Sequence, residues 1–77
     1  MAPVSQNLIG KRVKEARAKA EFTQEQLSQK LAKAGVSIDR AGIAKIEAGI
    51  RGVLDFELVA IAKTLNVKIT WLVGVKE

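Results

Sequence analysis

Apolar residues recur along this chain at helical spacing. Ile9, Val13, Ala16 and Ala20 form one stripe of a helix predicted over 8–19. Lys11, Arg12, Lys14 and Lys19 fall off that stripe, on a face expected to be solvated. Thr23 opens a second helix, because Gln26 completes a Thr-x-x-Gln capping box. Phe22, just before the cap, is placed to pack on Leu27. Leu27, Leu31 and Ala34 make the expected core face of that helix. Gly35 ends it in a left-handed cap, with Val36 folding back on Leu31.

Asp39 is a good N-cap for a third helix, predicted over 39–48 and stopped by Gly49. Ile38 and Ile43 repeat the staple pattern, and Ile43 and Ile46 point inward. Asp55 is expected to cap a fourth helix, on which Leu58, Ile61, Ala62 and Leu65 keep core-facing spacing. Asn66 suits its C-terminal cap. A short last helix over 69–73 carries Trp71 and Leu72. Val53-Leu54 and Val67-Lys68-Ile69 are too short for strands. The expected fold is a compact all-α domain of five helices over 7–77, after a flexible tail over 1–6.

Composition narrows the function. The chain has 77 residues, 48% of them hydrophobic, which suits one small globular domain. It has no Cys and no His, so thiol chemistry, a Cys/His zinc site and a histidine base are excluded. No nucleophile–base pair, metal cluster or carboxylate dyad can be assembled, so neither an enzyme nor a cofactor or metal site is expected. The longest apolar run is Leu58 to Ala62, far short of the roughly 20 residues that span a bilayer. With no basic-then-apolar signal at its start, the chain is expected in the cytoplasm, away from membranes.

Charge is unevenly spread. Residues 1–51 hold ten basic and five acidic side chains, whereas residues 52–77 hold three of each. The whole net charge of +5 therefore lies in the first two-thirds. A basic surface of this kind suits a polyanion, nucleic acid before membrane, although a few excess lysines also occur on ordinary soluble domains.

The third helix sharpens that choice. At about 100° per residue, Arg40, Ala41, Ala44, Lys45 and Ala48 share its outward face. Small residues let a backbone approach the bases, while two long cations reach guanine edges or phosphates. Arg40, Ala41, Ala44 and Lys45 are thus candidate base readers. The second helix begins at Thr23-Gln24, where exposed amides at a positive helix end suit phosphate oxygens. The loop Gly49-Ile50-Arg51-Gly52 offers further N–H groups and a guanidinium. Thr23, Gln24, Ala48 and Arg51 are the candidate phosphate ligands.

The segments Ile9-Gly10-Lys11-Arg12-Val13-Lys14, Arg17 and Thr23-Gln24-Glu25-Gln26-Leu27 resemble the first half of the phage Cro/repressor-like, or XRE-like, helix-turn-helix family. Ile43-Ala44-Lys45-Ile46-Glu47-Ala48-Gly49 resembles the end of its recognition helix. Residues 57–67 and Trp71-Leu72-Val73-Gly74 are similar to its last two helices. The resemblance implies double-stranded DNA as partner and a transcriptional repressor or similar regulator as function. An antitoxin or adaptor, whose main partner is another protein such as a toxin, is the alternative on the same fold.

The resemblance also implies a salt bridge between Arg17 and Glu47, and a homodimer. Arg17 borders the apolar stripe of its helix, and Glu47 borders the outward face of the third, which suits such a pair. The apolar surplus of the neutral C-terminal third places the dimer contact near Trp71, Val73 and Val75. Three departures stand out. Leu27 lies twelve positions before Asp39, farther than is usual in the family, so either the second helix or the connection is longer. Ala41 stands where many relatives carry a longer polar side chain. Gly42, inside a helix, is expected to serve close packing against the second helix.

Overall fold

A computed structural model describes residues 6–75, and side chains from Leu8 to Val75. Its helices are α1 (Gln6–Lys19), α2 (Gln24–Lys33), α3 (Arg40–Glu47), α4 (Asp55–Leu65) and α5 (Ile69–Leu72). No strand occurs among the described residues. The expected tail over 1–6 falls outside them except for Gln6, which already belongs to α1.

One core joins all five helices. Val13 and Ala16 from α1, Leu27 and Leu31 from α2, and Ile43 and Ile46 from α3 are buried with Ile61, Ala62 and Leu65 from α4 and Leu72 from α5. Val36 and Ile38 add the connection between α2 and α3. Leu58 only borders this core, half-buried, as do Ile9 and Ala20. Truncating a fully buried residue such as Leu31 to Ala would cost about 2–5 kcal/mol, a large share of what so small a domain has.

Capping fixes where the helices begin and end. Thr23 Oγ1 accepts from the Gln26 N–H at 3.0 Å, and Gln26 Oε1 accepts from the Thr23 N–H at 2.8 Å. At the other end of α2 the Gly35 N–H reaches Ala32 O and the Val36 N–H reaches Leu31 O. Gly35 adopts φ +86°, the left-handed turn that this closure requires. Ala34 is the C-cap and is exposed, so it does not face the core as its spacing suggested. The helix has stopped turning there, and helical periodicity no longer applies.

The long interval between Leu27 and Asp39 is shared: α2 runs on to Lys33, and the rest is connection. It runs in non-helical conformation from Gly35 and is anchored by Val36, by Ile38 and by Ser28, whose hydroxyl donates to Ile38 O at 2.6 Å. Asp39 Oδ1 then caps α3 by accepting from the Gly42 N–H at 2.7 Å.

Asp55 is not the cap of α4 but its first residue. Leu54 holds the cap position, and Glu57 reaches back to accept its N–H at 2.9 Å. Asn66 closes α4 in the left-handed conformation, at φ 56°. Arg12 departs from its expected solvated place. It is half-buried, donates to Trp71 O at 2.7 Å and lies 4.8 Å from the Trp71 ring centre, tying α1 to α5. That contact joins residues 59 positions apart, which no local pattern reveals.

Candidate nucleic-acid interface

The outward face of α3 is as small and cationic as its sequence suggests. Arg40, Ala41, Lys45 and the C-cap Ala48 are exposed, and Ala44 is half-buried. Arg40 and Lys45 form no ion pair with any described residue. Ile43 and Ile46 anchor the opposite face at 0% and 1% exposure.

Two features set α3 against α1. Gly10 is buried where the helices cross, and a Cβ there would fall on the Ile46 carbonyl oxygen and 3.1 Å from that of Glu47. Only a residue without a side chain fits such an approach. Beside it, Arg17 Nε and Nη2 donate to Glu47 Oε2 and Oε1 at 2.6 and 3.0 Å. Arg17 Nη1 also donates to Phe22 O at 2.7 Å, which brings the loop between α1 and α2 into the same contact. The two side chains are only 15% and 3% exposed. The Glu47 hydrogen bonds raise the Arg17 pKa, against the opposing effect of burial.

Gln24 belongs to this cluster. Its side-chain amide donates to Glu47 Oε1 at 3.1 Å, so that N–H is engaged inside the protein. The start of α2 still offers donors. The N–H groups of Gln24 and Glu25 take no acceptor among the described residues, whereas those of Thr23 and Gln26 are used by the capping box.

The loop after α3 differs most from expectation. The N–H of Ala48 bonds Ala44 O, that of Gly49 bonds Ile46 O, and those of Ile50 and Arg51 both bond Lys45 O. Gly49, at φ 76°, folds the chain back to make these bonds, so of the N–H groups expected to be free here those of Gly49, Ile50 and Arg51 are consumed, and that of Gly52 takes no acceptor among the described residues. Arg51 is committed too. Its Nη1 and Nη2 donate to Glu57 Oε1 and Oε2 at 3.1 and 2.9 Å, and Nη1 donates to Gly52 O at 2.9 Å. Sequence inspection misses this bond because Glu57 reads as an ordinary first-turn acid of α4; its 3% exposure reveals it.

Gly42 does make a close approach, but to its own cap. A Cβ there would lie 2.9 Å from Ile38 Cγ2 and 3.0 Å from Asp39 Oδ1. At the other end of the chain Trp71 and Val73 are half-buried and Val75 is 54% exposed. Larger apolar exposure lies on α4 and its approach, at Ile50, Leu54 and Phe56.

A helix-turn-helix family profile matches residues 13–72, most of the chain. The protein therefore belongs to the XRE-like helix-turn-helix family of DNA-binding transcription regulators. A similar solved structure is the restriction-modification controller protein C.AhdI from Aeromonas hydrophila, with 25% sequence identity and a TM-score of 0.75. The match covers 87% of this chain and 90% of that one. No curated protein matches the chain. No helix among the described residues is long and apolar enough to cross a membrane.

Proposed function

We propose that this protein is a repressor-like regulator that lays α3 in the major groove of a duplex operator. The observation that carries the reading is the outward face of α3, where unpaired Arg40 and Lys45 flank Ala41 and Ala44. Arg40 and Lys45 read base edges, and the alanines let the backbone come close. The free amides of Gln24 and Glu25, with the capped Thr23 beside them, receive a phosphate at the positive end of α2. Ala48 is a contact surface only, its N–H being used, and Arg51 drops out of the phosphate set. The similarity to a restriction-modification controller makes promoters of such gene systems good first operators to test.

The regulator acts as a homodimer on half-sites about one DNA turn apart, roughly 34 Å. Trp71 is partly covered by Arg12, so the contact centres on exposed Phe56, Val59 and Ile69, with Val75 at its edge. Phe56 and Val59 stand one turn apart on α4, and Ile69 opens α5 across a groove from Val59.

Selection from random duplexes tests both parts. A palindromic motif bound by two chains per duplex is expected. Arg40→Ala should cost about 1–3 kcal/mol and relax one base position in each half-site. An unchanged motif and affinity would remove α3 as the reader, and one chain on a symmetric site would remove the dimer.

A further inference from the structure

The geometry points to Arg51 as a positioning residue that braces the start of α3 against the start of α4 and so sets where Arg40 meets DNA. This rests on α3 being the helix that enters the groove.

Arg51 leaves the loop after α3 and forks onto Glu57 in the first turn of α4. Its Nε side lies along the first turn of α3. A Cβ on Gly42 would be 4.0 Å from Arg51 Nε, and the Asp39 carboxylate acts on the Arg51 charge. The guanidinium therefore spans from the N-cap of α3 to the first turn of α4. Glu57 completes the brace by holding the Leu54 N–H with the same Oε1 that Arg51 touches.

A phosphate cannot readily recruit this guanidinium. Glu57 is 3% exposed, and losing Arg51 would leave its carboxylate buried without its cation. Nη1 of Arg51 has both its N–H groups engaged and Nη2 one of its two, so a phosphate would have to compete with Glu57 for the guanidinium. Arg17–Glu47 holds the C-terminal end of α3, and Arg51–Glu57 lies against its N-terminal end, beside Gly42. Arg40 directly follows the Asp39 cap, so the second pair governs Arg40 more than Lys45.

Arg51→Lys decides between brace and phosphate ligand. Lysine keeps the charge but lacks the planar fork. Affinity is measured on the selected duplex and on a scrambled duplex of equal length, across a range of salt. A brace predicts that Arg51→Lys lowers preference for the selected duplex roughly five- to tenfold. Discrimination should be lost at the base pair read by Arg40, with scrambled-duplex affinity and the salt slope unchanged. Glu57→Gln, buried away from solvent, should lose the same preference. Retained preference in Arg51→Lys, or tighter scrambled-duplex binding by Glu57→Gln, overturns the proposal. A purely global loss of folded protein would weaken both duplexes alike and also overturns it; circular dichroism at the assay temperature gives the folded fraction. If the parent protein selects no sequence, the reading of α3 fails instead. The brace is then decided by amide exchange at Gly42 and Ile43, which Arg51→Lys should accelerate and which an idle Arg51 would leave unchanged.

Discussion

Arg17 and Glu47 meet in a two-pronged ion pair that locks the last turn of α3 to α1, with the Gln24 amide as a third member. A planar guanidinium fixes orientation as well as distance. The pair thus sets the angle at which Arg40 and Lys45 leave the protein. Because Glu47 is almost fully buried, removing one partner strands a charge. Arg17→Ala and Glu47→Ala should each destabilise by roughly 3–5 kcal/mol. The double variant should lose less than the sum of the two. Urea unfolding of all four proteins measures the coupling. Additive losses, or a Glu47→Ala midpoint near the parent's, would show two separately solvated charges.

Gly10 offers a test of α1 against α3 that involves no charge. Ala at this position gains helix propensity, yet its methyl would fall on the Ile46 carbonyl oxygen. The neighbour is backbone and cannot rotate away. Gly10→Ala should cost about 1–3 kcal/mol by overpacking. DNA affinity of the folded fraction should fall as well, because relief requires α3 to move. A variant as stable as the parent would mean that the helices sit farther apart.

Most of the fold is legible in the sequence because its signals are local. The Thr23–Gln26 box, the Asp39 cap, the glycine stops and the apolar stripes each act within a turn or two. Three of the misses share one cause. Arg12 to Trp71, Arg51 to Glu57 and Gly10 to Ile46 are contacts between elements, set by how the helices cross. The outward face of α3 is legible because a single helix defines it. The loop after α3 is not, since the N–H groups of Gly49, Ile50 and Arg51 read as free until the Gly49 turn spends them on α3 carbonyls.

Glu21 carries strain that sequence inspection does not show. It adopts φ 61° in the turn closing α1, where the Phe22 N–H bonds Arg17 O at 3.1 Å. This is the position that glycine fills after α2 and α3. A side chain in the left-handed region costs about 1–2 kcal/mol, part of which glycine returns as extra freedom in the unfolded chain. Glu21→Gly should therefore stabilise the protein by roughly 0.5–1 kcal/mol, or about 2–8 °C in Tm for a domain of this size. Calorimetry decides it, and a lowered Tm would show that the Glu21 side chain contributes more than its conformation costs.

The Arg51–Glu57 pair should leave a signature in acid. The Arg51 hydrogen bonds, helped by the Leu54 N–H, hold the Glu57 carboxyl below its usual range, although burial pushes the other way. In the unfolded chain the same group titrates near about 4.3. Between that value and the lower folded one, the unfolded state binds more protons, so stability falls as pH falls. The contribution is complete above the unfolded pKa and is gone once pH drops through the folded pKa. Glu57→Gln removes this titration while keeping shape and an oxygen for Leu54. At pH 7 the parent should exceed this variant by about 2 kcal/mol, the scale of hydrogen bonds to a charged group. The gap should begin to shrink as pH falls through about 4.3 and should close only below the lower folded pKa, where protonated Glu57 resembles glutamine. Urea midpoints of both proteins from neutral to acid pH measure it. A gap that stays constant across the range would mean that Glu57 ionises no more easily in the folded protein than in the unfolded chain.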